Sequence, residues 1–262
     1  MVGAFLGPSP RDVTMSTAKT SAFGALGLSI TPRRETLRQT RARTKPVGRR
    51  SELRPRLILA SASPRRLMLL SQVGIEPDAL RPASLDESPR RAEMPRSYVT
   101  RLARAKAEAA RDLIANDKDL AEAYVLAADT VVTHGRSIFG KPKNVEEALA
   151  MLLRLSGRSH RVLTGLCLVT PDDRTRLKVV ETRVRFRRLS KEDMESYLAS
   201  REWRGKAGGS AIQGIGGCFV QKISGSYTNV VGLPLTEVVG MLQGEGFPIH
   251  FNWLKAGEAE PE

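Results

Sequence analysis

The fold class this sequence predicts is α/β: one domain on a mixed sheet with flanking helices. Three observations lead there. Short apolar runs rich in branched residues alternate along the chain with stretches of helical period. Two long strand-like segments meet at a tight turn, which makes an antiparallel hairpin and excludes a purely parallel sheet. With 41% hydrophobic and 27% charged residues, 262 residues can bury a sizeable core.

The elements follow in order. Leu57-Ile58-Leu59-Ala60 reads as a buried strand. Ser63 and Pro64 open a helix as N-cap and first helical residue, and Gly74 closes it. A second helix is expected from Arg96 to Ala115, with Val99, Leu102, Ala103, Ala110, Leu113 and Ile114 on its apolar face. Tyr124–Thr133 is the plainest strand, followed by a turn at His134-Gly135. Asn144 through Glu147 start a helix that runs to Leu155 and stops at Ser156-Gly157. Ser159–Thr170 and Thr175–Arg188 form the hairpin around Pro171-Asp172-Asp173. Ser190 and Asp193 cap a short helix. A glycine-rich loop spans residues 201–217, a strand Cys218–Ile223, and a last helix runs from Pro234 to Gly244.

Composition narrows the function. No stretch approaches the roughly 20 apolar residues of a membrane span, so no membrane partner is expected. Two cysteines, Cys167 and Cys218, make neither a disulfide scaffold nor a zinc site, and point to a reducing cytoplasm. The net charge is +14, but residues 1–54 hold 11 Lys/Arg against 3 Asp/Glu, and residues 55–262 hold 31 against 25. More than half of the excess therefore sits in the first fifth of the chain. Residues 1–54 read as a disordered basic extension, with a targeting segment and an early start codon as the other readings. Residues 55–250 read as a mildly basic globular domain and 251–262 as a tail. The remaining charge suits an anionic substrate as well as any polyanion; a nucleic-acid partner is not expected, because the basic extension is its only support and no aromatic platform accompanies it.

Several residues break the pattern of their own elements. Arg65 and Arg66 lie in the first turn of a helix, where the dipole disfavours cations unless an anion is present. With Ser61 and Ser63 beside them, they make a phosphate cradle or an ordinary solvated cap. Asp129 interrupts an apolar strand, which is costly unless the carboxylate is paired or metal-bound, the other reading being an aspartate on the solvent face of an edge strand or capping the next element. Lys106 falls on the apolar stripe of its helix, so it either snorkels outward or points into a cleft. Lys141 follows Gly140 and precedes Pro142. Asp86 and Glu87 lie in a loop. Gln213 belongs to the glycine-rich segment, where backbone approaches a ligand closely or the surface is mobile. Together these are hard oxygen ligands for a divalent metal and several cations for a polyphosphate. No P-loop, Gly-x-Gly-x-x-Gly turn or Gly-x-Ser-x-Gly elbow is present.

In these residues the chain resembles the Maf family of nucleoside triphosphate pyrophosphatases. The matching stretches are LILASASPRR (57–66), LDES (85–88), RLARAKA (101–107), AADTVV (127–132), GKP (140–142), LSGRSHRVLTG (155–165), VRFRRLS (184–190), and KAGGSAIQGIGG with GSYTNVVGLPL (206–235). The resemblance implies an elongated domain with a central cleft, as in inosine triphosphate pyrophosphatases. It implies cleavage between the α and β phosphates with a divalent metal, Mg2+ or Mn2+. It makes Asp129 the general base and Glu87 a metal-holding acid. Lys106 and Lys141 become phosphate-facing, with Ser63 and Arg65 in the phosphate loop. Thr130, Arg65 and Gln213 match the subtype acting on dTTP and UTP; members that prefer 7-methyl-GTP are expected to carry Gln in place of Thr130. Ser210 departs from a more usual aromatic residue. A homodimer is compatible with this reading. The rival readings are a pyrophosphatase for 7-methyl-GTP or a non-standard purine triphosphate, and a non-catalytic division regulator.

Overall fold

The computed structural model describes residues 54–249. The expected basic extension, Arg54 apart, and the expected tail over 251–262 lie outside the described residues. Among those described, seven strands form one mixed sheet and six α-helices surround it.

Strand β1 (Leu57–Leu59) leads into α1 (Pro64–Gln72), the two-residue β2 (Ala79–Leu80) and the long helix α2 (Pro95–Ile114). Strand β3 (Tyr124–His134) turns into β4 (Ser137–Phe139), then α3 (Val145–Leu155). The hairpin of β5 (Ser159–Val169) and β6 (Thr175–Phe186) precedes α4 (Lys191–Ala199). Strand β7 (Val220–Ser224), α5 (Tyr227–Val231) and α6 (Leu235–Gly244) complete the order.

The strand order is β2-β1-β3-β5-β6-β7, with β4 paired to β3. The β1 pairings are parallel and the rest antiparallel, so the expected mixed sheet is present. Strand alternation sends β1 and β3 residues to two different cores. Leu57, Leu59, Leu126 and Ala128 pack with α1 and α6, whereas Ile58, Val125 and Ala127 pack beneath α2. Farther along β3 each face changes partners. Val132 joins Val162, Phe186 and the inner face of α3, while Val131 joins Val99 and Leu102 of α2. Asp129 and Thr130 therefore stand at the seam between core clusters, one on each face, where side-chain packing leaves room for polar groups.

Several expectations are corrected. Leu113 is 62% exposed although neighbouring Ile114 is fully buried; the period defines an arc, not what lies beneath its last turn. Ser63 occupies the N-cap of α1, but its side chain makes no cap hydrogen bond. The expected strand from Cys218 begins at Val220, because a 3-10 helix covers Ile215–Phe219. The capping box of Ser190 and Asp193 is present, and Asn144 accepts from the Glu147 N–H at 2.9 Å.

Candidate active site

A cleft of about 480 Å³ opens at this seam. Ser63, Arg65, Glu87, Lys106, Asp129, Thr130, Lys141 and Gln213 all line it, so segments up to 150 residues apart in sequence converge. The cleft wall also contains Arg66, Tyr98, Lys206 and Ser210.

Its centre is an ion cluster built on a buried Lys106–Asp129 pair. Lys106 reaches inward from α2 rather than snorkelling outward. Its Nζ donates to Asp129 Oδ1 at 2.6 Å and lies 2.6 Å from Glu87 Oε1. Lys106 and Asp129 are 9% and 6% exposed, so their charges depend on each other for solvation. Lys141 Nζ approaches Glu87 Oε2 at 3.7 Å from a more open position. Burial works to raise the Glu87 pKa, but the Lys106 hydrogen bond and the charges of Lys106, Lys141 and Arg66 bring it below the ordinary glutamate value.

The Glu87 loop is held to α2 from both sides. The Tyr98 hydroxyl donates to the Glu87 carbonyl at 2.7 Å, and Arg101 donates to Ser88 O and to both carboxylate oxygens of Glu93. Burial, together with Asp129 and Glu87, pushes the Tyr98 phenol up to about 12. Asp86 takes no part in the ion cluster; it accepts from the Ser88 N–H at 2.9 Å.

Helix α2 comes this close because Gly165 lies under it. Gly165 pairs with Asp129 across the strands. A Cβ there would fall 2.3 Å from Val99 O, so only glycine lets the helix backbone rest on β5. Lys106 is two turns beyond Val99 on the same side of the helix.

The two arginines of α1 behave differently. Arg66 is committed to the protein: Nε donates to Gly232 O at 2.9 Å, and the terminal nitrogens donate to Ser61 Oγ at 3.0 Å and Thr130 Oγ1 at 3.3 Å. Burial lowers its pKa, Asp129 counteracts this, and Arg65 adds to the lowering. Half-burial likewise lowers the Arg65 pKa. Ser63 Oγ caps none of the first-turn N–H groups, so α1 presents its N-terminus beside two guanidiniums.

Thr130 links the arginine to a buried polar chain. Its hydroxyl lies 2.9 Å from Thr164 Oγ1, and Thr164 donates to Asn229 O at 3.4 Å. Asn229, fully buried, donates to Val162 O and Thr182 Oγ1. The glycine-rich segment is similarly pinned. Glu202 accepts from the Ile215 and Gly216 N–H groups, and the Gly208 N–H donates to Gly140 O at 3.0 Å. Gln213 and Lys141 thus stand on connected, anchored loops. Sequence reasoning assigned no role to Gly165, although it ends one of the matched stretches, or to Glu202 and Tyr98, whose importance depends on contacts between distant segments.

Among the described residues, no group of three or more His, Cys, Asp or Glu side chains is gathered to hold a metal ion. The available donors are the two carboxylates of Glu87 and Asp129. This set fits a magnesium-like ion, which commonly uses one or two carboxylates and takes its other oxygens from water and substrate phosphates. No described helix is long and apolar enough to cross a membrane.

The family described as Maf-like protein matches residues 56–245. A dTTP/UTP pyrophosphatase of Rhodopseudomonas palustris (strain BisB5) is 63% identical over 203 residues, covering 78% of this chain and 98% of the relative. One from Rhizobium meliloti is 60% identical over 200 residues, covering 76% and 97%. Among solved structures, a nucleoside-triphosphatase / dITP/XTP pyrophosphatase from Mycobacterium abscessus aligns at 19% identity and a TM-score of 0.32, covering 51% of this chain and 75% of that one.

Proposed function

The chain belongs to the Maf-like family, and from that premise we propose that it hydrolyses dTTP and UTP to the monophosphate and pyrophosphate. One observation carries the reading: eight residues singled out by their chemistry or, for Thr130, by the family resemblance line a single cleft, in a chain 63% identical to a protein named for this activity.

The triphosphate enters with its phosphates toward Ser63, Arg65, Lys106 and Lys141. The α1 N-terminus and these cations neutralise its charge, which would otherwise repel a nucleophile. Glu87 and Asp129 would hold a divalent cation, which when bound supplies further neutralisation of the phosphate oxygens. Asp129 accepts a proton from water as the water oxygen bonds to the α-phosphorus. The bond from that phosphorus to the bridging oxygen breaks, and pyrophosphate leaves. Arg66, held by Gly232, Ser61 and Thr130, keeps its charge fixed beside this centre. Gln213 offers an amide to the carbonyl and imide edge of uracil or thymine.

The test is a comparison of kcat/KM for dTTP, UTP, dATP, dGTP and 7-methyl-GTP with magnesium present. A mismatched buried polar group costs about 1–3 kcal/mol, so the pyrimidines should lead by at least about tenfold. Gln213→Ala should erode that preference more than it slows dTTP turnover. A preference for purines or 7-methyl-GTP would overturn the substrate assignment.

A further inference from the structure

Lys106 fills the position between Glu87 and Asp129 that a metal ion would need. Its nitrogen stands 2.6 Å from one oxygen of each acid. Divalent ions sit about 2.0–2.6 Å from their carboxylate oxygens, so the ammonium and such an ion compete for one gap. The Lys106 side chain is only 11% exposed, and its helix rests on β5 at Gly165. If the ammonium leaves the acids, it moves within a cleft that also contains Arg65 and Arg66. Without an anion, that move costs the ion pairs and brings like charges together. A bound polyphosphate reverses the balance by offering its own oxygens.

We propose that Lys106 is a built-in counter-ion that keeps Glu87 and Asp129 closed to free divalent cations until an anionic nucleotide draws the ammonium away. The inference rests on the polyphosphate site described above. It makes metal and nucleotide binding mutually dependent: each raises affinity for the other by the same factor. Lys141, at 3.7 Å from Glu87 and with a 62% exposed side chain, has little share in this.

The test is direct binding of Mn2+ alone to the nucleotide-free protein, read by electron paramagnetic resonance of the free ion. Lys106→Met should bind Mn2+ at least about tenfold more tightly than wild type, because a positive charge in contact with both acids is removed. Lys141→Met should change the affinity by less than about threefold. Equal affinity for wild type and Lys106→Met would overturn the proposal. So would equal tightening in both variants, which would reveal only a general charge effect. Lys106→Gln replaces the methionine variant if the latter does not fold. A second measurement uses the wild-type protein. Acetylation of Lys106 by acetic anhydride, followed by peptide mass spectrometry, should be slow without metal and faster with saturating Mn2+; an unchanged rate contradicts displacement. Pyrophosphate release from dTTP by the same wild-type preparation separates the two claims. Tighter Mn2+ binding by Lys106→Met with no dTTP hydrolysis by wild type would leave the counter-ion standing and remove the proposed activity.

Discussion

Replacing Gly165 by alanine should push α2 off the sheet and move Lys106 with it. The added Cβ would lie 2.3 Å from Val99 O, 2.6 Å from Val99 C and 3.2 Å from Thr100 N. Comfortable heavy-atom contacts begin at about 3.5 Å, so helix and strand must separate by roughly 1 Å. These neighbours are backbone atoms, and no rotamer change relieves the clash. Overpacking of this kind costs about 3 kcal/mol, which for a domain of this size lowers Tm by about 6–12 °C. The same displacement reaches the 2.6 Å contact between Lys106 and Asp129. A misplacement of about 1 Å in catalytic geometry costs up to about 100-fold in rate. Thermal unfolding and pyrophosphate release from dTTP, measured on the same preparation, read both effects. A Tm within about 2 °C of wild type with unchanged kcat/KM would refute the claim that Gly165 sets the position of α2.

Two further outcomes concern charge. Asp129→Asn keeps the side-chain volume but removes the proton acceptor and one counter-charge of Lys106; kcat for dTTP should fall by about 10²–10⁴-fold in a protein that still folds with a lowered Tm, and turnover near wild type would contradict the general-base role. Hydrogen bonds from Arg101 hold the Glu93 carboxyl down at about 2 against opposing burial, below its unfolded value of about 4.3. That stabilisation is complete above the unfolded value and is lost as pH falls from about 4.3 toward 2, so Glu93→Gln should flatten the decline in denaturant midpoint over this window; parallel acid limbs for both proteins would disprove the linkage.

Part of the candidate site is legible because Arg65, Lys106 and Asp129 violate the pattern of their own elements, whereas Ser63, Glu87, Lys141 and Gln213 stand out only as members of a set and Thr130 only through the family resemblance. Asp129 in an apolar strand and Lys106 on an apolar helix stripe are costly alone, and the structure makes them partners. The first-turn arginines were visible for the same reason, but their division of labour was not. Which guanidinium is committed to Gly232 depends on a contact 166 positions away in the chain. The long strands and capped helices followed from local period and turn chemistry. Strands β2 and β4 did not, since neither carries an apolar run like that of β1 and each is defined by its pairing with β1 or β3. Helix α5 escaped for a related reason: its five residues carry too short a period to register, and Asn229 within it is fixed by bonds to β5 and β6. Gly165 looked like any strand glycine until α2 was placed against it.

The most direct test of the central claim is hydrolysis of dTTP in water enriched in oxygen-18, followed by phosphorus NMR and mass spectrometry of the products. Attack on the α-phosphorus predicts dTMP and pyrophosphate in equal amounts, with the heavy oxygen on dTMP. Formation of dTDP and orthophosphate, or heavy oxygen in pyrophosphate, would contradict it.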